Sequence, residues 1–381
     1  MKVAIIHYWF ITRRGGEKVV ESILKKFPEA DIYTLFYDKK QYGNFLTKHT
    51  IYTSILDKPF LRKHYQKIFP LYPTGIRSLK LKKKYDLIIS SESGPAKGIK
   101  IKNKTPHICY VHSPMRYCWS HKDVYINTVH PILKPFARFF LKRLQIWDKS
   151  TIENVDLYLS NSENVTKRIA KYYNRESKII YPPISEELFN EPLKKNRKNE
   201  VYLSFGAITP YKRIDLLVET FNKNGKQLII IGEGSEKEKL EKTAAKNIEF
   251  KGTLKWEEIE DILLKTKALL FPGEEDFGMI PLEVMAYGIP VIAYKKGGAL
   301  ETVIEDIPNI SKSTGLFFDK QSKESILKAI ELFEKNEHKF DANWIRNHAN
   351  KFREKQFLLR FTEQIEDFLK KGNKKRAIDA I

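Results

Sequence analysis

At 381 residues the chain exceeds what one hydrophobic core usually serves, so two domains of ordinary size are expected. Its 42% hydrophobic and 12% aromatic content excludes a disordered chain, and its two cysteines, Cys109 and Cys118, exclude a disulfide framework and lack metal-ligand spacing, which fits a reduced, cytosolic setting. The net charge of +21 sits almost wholly in residues 1–200, with 38 Lys and Arg against 18 Asp and Glu; residues 201–381 hold 30 against 29, so the halves face different partners, and the first suits nucleic acid or an anionic membrane.

The opening run MKVAIIHYWF reads as a strand, without the longer apolar stretch and small-residue cleavage site of a signal peptide. No apolar run reaches the ~20 residues of a membrane span. Strand 2–7 leads through Arg14-Gly15-Gly16-Glu17 into an amphipathic helix bearing Val19, Val20, Ile23 and Leu24. Strand, glycines and helix together are how α/β folds present backbone N–H groups to an anion, although two glycines also make a plain turn.

Further strands are expected at 32–36, 86–90, 107–111, 156–160 and 178–181, alternating with helices, and Tyr181-Pro182-Pro183 stops the first unit. Residues 186–200, rich in Glu and Lys, read as a linker. A second series follows at 201–205, 227–231, 248–250, 268–271 and 291–294. The fold class is therefore α/β, two doubly wound domains with a cleft between them. From about Asn343 the chain is helical and amphipathic enough to pack back onto the body, with 370–381 a frayed end.

Two basic stretches of the first half mix aromatic residues among their charges. Residues 58–84 carry nine Lys and Arg with Phe60, Tyr65, Phe69 and Tyr72, and no acidic residue. Residues 130–149 space Leu133, Phe136, Phe140, Leu144 and Trp147 as on a helix among five Lys and Arg. Either suits anionic headgroups, and the second equally suits a core-facing helix with a solvated face. Nucleic acid lacks any supporting RNP, zinc-finger or helix-turn-helix pattern.

The chemistry concentrates in residues 271–303. Glu275 and Glu283 bracket an Asp-Phe-Gly turn between a strand and a helix, where open α/β sheets bind ligands. The first helix residues, Gly278, Met279 and Ile280, offer unpaired N–H groups to a phosphate, and carboxylates on either side can accept bonds from sugar hydroxyls. A capping Glu plus a surface Glu is the bland alternative. Lys212 follows strand 201–205 and its turn, placed either to neutralise a pyrophosphate or as one surface lysine among many. His112 ends strand 107–111, as a substrate ligand or a buried structural histidine. Asp-x-Asp, Walker A and Gly-x-Ser-x-Gly patterns are absent, so Lys, Arg and helix termini are expected to meet phosphate charge, with no metal and no cofactor.

Glu275-Asp-Phe-Gly-Met-Ile-Pro-Leu-Glu283, then Met285 to Val291 and Gly297-Gly298-Ala-Leu-Glu301, resembles the signature of the retaining glycosyltransferase family four. Arg14-Gly-Gly-Glu17, His112-Ser-Pro-Met-Arg116, Pro210-Tyr-Lys-Arg213 and Gly232-Glu-Gly234 fall in the expected order, closest to an O-antigen mannosyltransferase branch. The resemblance implies the GT-B fold: two facing Rossmann-like domains with a deep cleft, an acceptor domain over 1–183, a donor domain over 184–350, and a helical segment 351–381 returning to the first. It implies that Glu275 contacts the transferred sugar, Glu283 the ribose and Lys212 the diphosphate, aided by the amides of Gly278 to Ile280. Gly15 and Gly16 would approach the phosphates, His112 the donor sugar, and the Gly252-Thr253 turn the base. Ala207 stands where the family usually has Arg; Arg213, Arg14 or Arg116 is expected to replace that cation. The implied activity moves a hexose, first mannose from GDP-mannose, to a glycan or lipid-linked acceptor at the inner membrane face, with a UDP-sugar transferase or a sugar-nucleotide epimerase as alternatives.

Overall fold

The computed structural model describes every residue except Asn103, His121, Thr128, 194–199 and 379–381. The chain divides into two compact units, Met1–Pro182 with the chain from Phe357 onward, and Pro183–Gln356.

In the first unit the strands β1 (Val3–Phe10), β2 (Asp31–Tyr37), β3 (Ile51–Thr53), β4 (Leu87–Glu92), β5 (His107–Val111), β6 (Leu157–Ser160) and β7 (Lys178–Ile179) form one parallel sheet. Its order, β3-β2-β1-β4-β5-β6-β7, reverses direction between β1 and β4. These strands read as near-continuous apolar runs because helices cover both faces of such a sheet. Val3, Ile5, Val19, Ile23, Ile89 and Tyr110 form the core on one face, and Ala4, Ile6, Ile76, Ile88 and Trp147 on the other.

The second unit repeats the plan with β8 (Val201–Phe205), β9 (Leu228–Ile231), β10 (Ile248–Gly252), β11 (Thr266–Phe271), β12 (Val291–Tyr294) and β13 (Gly315–Phe318) in the order β10-β9-β8-β11-β12-β13, all parallel. Its switch point lies between β8 and β11. β3 and β13 lie outside the strands expected from the sequence, each short and at a sheet edge; β13 is a largely buried apolar run, Gly315-Leu-Phe-Phe318, that could have been read as one.

The C-terminal segment forms two helices, Ala342–Asn350 and Glu354–Ile378. Phe357, Phe361 and Ile365 of the second join the first unit's core, with Phe357 5.8 Å from the Tyr110 ring. Burying such side chains is worth about 2 kcal/mol each, which holds the helix down. Helical backbone through Ile378 replaces the frayed end expected over 370–381, whose last three residues lie outside the described ones. The linker expected over 186–200 is structured where it begins. Glu186–Phe189 makes a 3-10 turn, Ile184 bridges Arg353, and Glu186 accepts bonds from Arg353 and from the Lys355 backbone; 194–199 lies outside the described residues.

Candidate active site

In the second unit the placement of the candidate side chains follows from the switch point. The turn after β8 carries Lys212 in the 3-10 helix Pro210–Lys212, and the loop after β11 carries Glu275. Their side chains form an ion pair, with 16% and 11% of the side-chain surfaces exposed, so the pair is well shielded from water. Gly273 makes this approach possible: a Cβ there would lie 2.9 Å from Lys212 Cα and 3.1 Å from the Tyr211 carbonyl oxygen. Sequence reasoning missed Gly273, for which Pro272-Gly273 after a buried strand was the available signal.

The two glycines that follow β12 shape the same loop from the other side. Gly298 N–H donates to the Glu275 carbonyl at 2.8 Å, and Cβ atoms at Gly297 and Gly298 would fall 2.4 Å from Glu275 O and 2.2 Å from Phe277 Cα. Their work is to let two backbones touch; the helix beyond them, Ala299–Thr302, is a single turn. Gly278 caps the helix Met279–Met285 with φ +91°, so Met279, and not Gly278, is the first helical residue. Glu283 is buried in that helix, and Ile280 Cδ1 sits 3.1 Å from where a Gly206 Cβ would be. The Gly206 turn and the helix start are thereby brought together.

The ends of β8, β9 and β10 are tied by backbone bonds: Gly206 N–H to Ile231 O at 2.9 Å, Ile208 N–H to Glu233 O at 2.9 Å, and Gly232 N–H to Gly252 O at 2.8 Å. A Cβ on Gly232 would meet Gly206 O at 1.9 Å. Gly252, at φ +64°, turns the chain out to exposed Thr253. Arg213 adopts a left-handed conformation, and Asp215 takes its guanidinium through Nε at 3.1 Å and Nη2 at 2.9 Å. That hydrogen bond to Asp215 raises the arginine's pKa. The pair lines a pocket with Thr209, Glu236 and Lys239. Asp215 thereby offsets the Arg213 charge, which weakens it as a replacement for the cation missing at Ala207.

In the first unit the helix Gly15–Lys26 starts beside His112. A Cβ on Gly16 would lie 2.4 Å from Tyr8 Oη and 3.6 Å from His112 Nε2, which is why a small residue stands there. Arg14, exposed, is the N-cap, and Glu17 closes a capping box by accepting its backbone N–H at 3.2 Å. Burial pushes the Glu17 carboxyl up to about 7. His112 is half-buried and held through its backbone: its N–H donates to Glu92 O at 2.8 Å, and its carbonyl accepts from Asn161 Nδ2 at 3.0 Å. Its ring meets Ser91 Oγ at 2.7 Å, and Ser91 in turn meets His7. Arg116 is half-buried in the turn that follows. Among the described residues no three His, Cys, Asp or Glu side chains converge as a metal site.

Two doubly wound parallel sheets, with cations and glycines at their carboxyl edges, define an α/β protein of GT-B type. Residues 13–188 match the family described as Glycosyltransferase Family 4, and residues 185–351 match Glycosyl transferases group 1. The chain belongs to glycosyltransferase family four. It is 28% identical over 350 residues to an uncharacterized glycosyltransferase, MJ1178, of Methanocaldococcus jannaschii, covering 87% of this chain and 88% of that one. It is 25% identical to the O-antigen chain mannosyltransferase RfbU of Salmonella typhimurium, over 52% of this chain and 56% of that one. Among solved structures it superposes on Anabaena HepE in complex with UDP at a TM-score of 0.67 and 16% identity, covering 96% and 100% of the two chains. A sucrose-phosphate synthase from Thermosynechococcus elongatus gives 0.72 at 15% identity, covering 97% and 99%. The epimerase alternative finds no support here. The chain is a glycosyltransferase.

Proposed function

We propose that this glycosyltransferase moves a hexose, with retention and without a metal, from a nucleoside diphosphate onto a lipid-linked or polysaccharide acceptor, and that the donor is GDP-mannose. The observation that carries the reading is the Lys212–Glu275 pair at the β8/β11 switch point: a cation for the leaving diphosphate beside a carboxylate that can accept sugar hydroxyls. Glu283 would take the ribose, the amides from Gly278 to Ile280 the phosphate, and Gly252 with Thr253 the base. His112, Gly15 and Gly16 would be the first unit's contribution, with Arg14 or Arg116 supplying the cation absent at Ala207. Similarity to RfbU and to the Alpha-1,3/1,6-mannosyltransferase ALG2 of Kluyveromyces lactis favours mannose, although the chain spans only about half of each. The UDP complex of HepE keeps a UDP-hexose as the second candidate.

A thermal-shift panel of nucleotide sugars tests this. A donor present at about 100 times its Kd should stabilise the fold by roughly 2.7 kcal/mol. GDP-mannose is expected to give the largest shift; no shift with any nucleotide sugar would overturn the reading, and a larger one with a UDP-hexose would reassign the donor.

The acceptor side draws on the helix Lys134–Ser150. Leu141, Leu144, Trp147 and Asp148 face the core, while Phe136, Phe139, Phe140 and Ile146, with Ile132 and Leu133 just before, stay exposed among Lys134, Arg138, Lys142 and Arg143. The core-facing reading of residues 130–149 holds for one face, and the exposed face is the one that the headgroup reading would use. Exposed aromatics ringed by cations suit an anionic lipid surface. No helix among the described residues is long and apolar enough to cross a membrane. The triple change Phe136→Ser, Phe139→Ser and Phe140→Ser should reduce flotation with anionic vesicles roughly a hundredfold, at about 1 kcal/mol for each partly inserted ring. Equal wild-type binding to anionic and zwitterionic vesicles would remove the membrane from the proposal.

A further inference from the structure

Two groups beside His112 carry no role in that chemistry, yet they are arranged as a chain. His7 on β1, Ser91 on β4 and His112 after β5 lie side by side because β1 and β4 pair His7 with Ser91. His7 Nδ1 is 3.0 Å from Ser91 Oγ, and Ser91 Oγ is 2.7 Å from His112 Nε2. His7 and Ser91 have no exposed surface.

The direction of these bonds follows from His7. A neutral imidazole carries one proton, on Nδ1 or Nε2. His7 Nε2 is buried without a hydrogen-bond partner, and its ring lies against those of Tyr8 and Phe10 at 3.9 and 4.8 Å. An orphaned N–H there would be the costlier choice, because buried donors are almost never left unmet. Burial, helped by the neighbouring His112, drives the His7 pKa well below its ordinary value, so the ring is neutral. The unmet Nε2 therefore puts the proton on Nδ1. His7 Nδ1–H then donates to Ser91 Oγ, Ser91 O–H donates to His112 Nε2, and His112 keeps its own proton on Nδ1.

We infer that His7 is a positioning residue that acts through Ser91 to hold His112 in the Nδ1–H tautomer, making the ring a hydrogen-bond donor to substrate oxygen and not a base. The purpose rests on the glycosyl-transfer reading; the proton arrangement rests on the first unit alone. A neutral donor beside a sugar or phosphate oxygen can stabilise departing negative charge without removing a proton from the acceptor. The opposite tautomer would present a lone pair to that oxygen and repel it. Of the three, sequence alone pointed only to His112; a polar His7 inside the apolar run VAIIHYWF was the missed signal.

Imidazole nitrogen NMR on the full chain labelled with 15N histidine reads the tautomer directly, above the ordinary imidazole titration range, with His112 assigned by its loss in His112→Asn. Wild type is expected to show Nδ1–H. Ser91→Ala, nearly isosteric, should shift His112 toward Nε2–H. His7→Leu should do the same, and His7→Asn, which keeps an N–H near the Nδ1 position, should restore the wild-type state. Under saturating donor, Ser91→Ala and His7→Leu should lower kcat about tenfold, the factor one hydrogen bond is worth, with KM little changed. An Nε2–H wild-type ring, or a tautomer unmoved by Ser91→Ala or His7→Leu, overturns the inference. If Leu at position 7 prevents folding, the Ser91→Ala and His7→Asn comparison still decides it. A tautomer that moves as expected in a protein that turns over no nucleotide sugar would leave the relay standing and overturn the proposed function instead.

Discussion

Lys212→Ala should lower kcat/KM for the nucleotide sugar by about 10²–10³-fold, the usual cost of deleting one group that stabilises charge on the departing side of a transition state. The reason is positional. Lys212 sits on a turn that Gly273 admits to the β11 loop, and its ammonium pairs with Glu275 under little solvent, where a charge interaction is stronger than in water. In the proposed reaction a bound diphosphate would draw the ammonium from Glu275 and release the carboxylate to sugar hydroxyls, so one substitution damages both functions. Lys212→Arg should recover only part of the loss, because a planar fork does not reproduce a point charge at the end of a flexible stem. Near wild-type kcat/KM in the alanine variant, with the fold intact by circular dichroism, would sink the assignment. Glu275→Gln provides the internal check. If the two residues act as a pair, the double variant should lose far less than the sum of the single ones.

How much of this was legible before the structure depends on range. The doubly wound plan was visible because buried parallel strands write themselves as apolar runs, and Val201–Phe205 and Val291–Tyr294 match those runs end for end. Strand Ile51–Thr53 was not, being two half-buried residues and an exposed one that only an edge position makes a strand. The bracket Glu275 to Glu283 was readable as local pattern, but its pairing with Lys212 was not, since a contact across two loops depends on Gly273, Gly297 and Gly298 acting together. Arg213 shows the converse. A salt bridge two residues away, to Asp215, was open to reading, yet position beside Lys212 suggested a phosphate ligand. The relay is the least legible part, because His7 and Ser91 are 84 positions apart and only strand register joins them.

Lys97→Met should destabilise the first unit by about 3–5 kcal/mol, a large share of the roughly 5–15 kcal/mol that holds an ordinary domain together. Lys97 counts toward the basic excess of the first half but touches no solvent. Its ammonium is paired with Asp148, lies 3.8 Å from Glu92 Oε1 and sits 4.7 Å over the Tyr173 ring, while Trp119 Nε1–H donates to Asp148 Oδ2 at 2.8 Å. Burial pushes the Glu92 carboxyl up to about 8, with Lys97 opposing the rise and Asp148 adding to it, so near neutral pH Glu92 is largely protonated and Asp148 is the partner that Lys97 pairs with. Methionine would leave Asp148 with the Trp119 N–H but without its cation. The pair Lys97→Met with Asp148→Asn should therefore unfold at higher denaturant than Lys97→Met alone. The Glu92 contribution has a definite sign: a carboxyl with a raised folded pKa favours the folded state most in acid, and that contribution fades from about pH 4.5 to about 8. Glu92→Gln should flatten the stability profile across that window. The cluster also bears on the reaction, because Glu92 follows Ser91 and its carbonyl accepts the His112 N–H at 2.8 Å. Loosening the ionic core should blur His112's position, so Lys97→Met is expected to lose activity at temperatures below its unfolding. Wild-type stability in Lys97→Met would show that the cluster is replaceable by apolar packing.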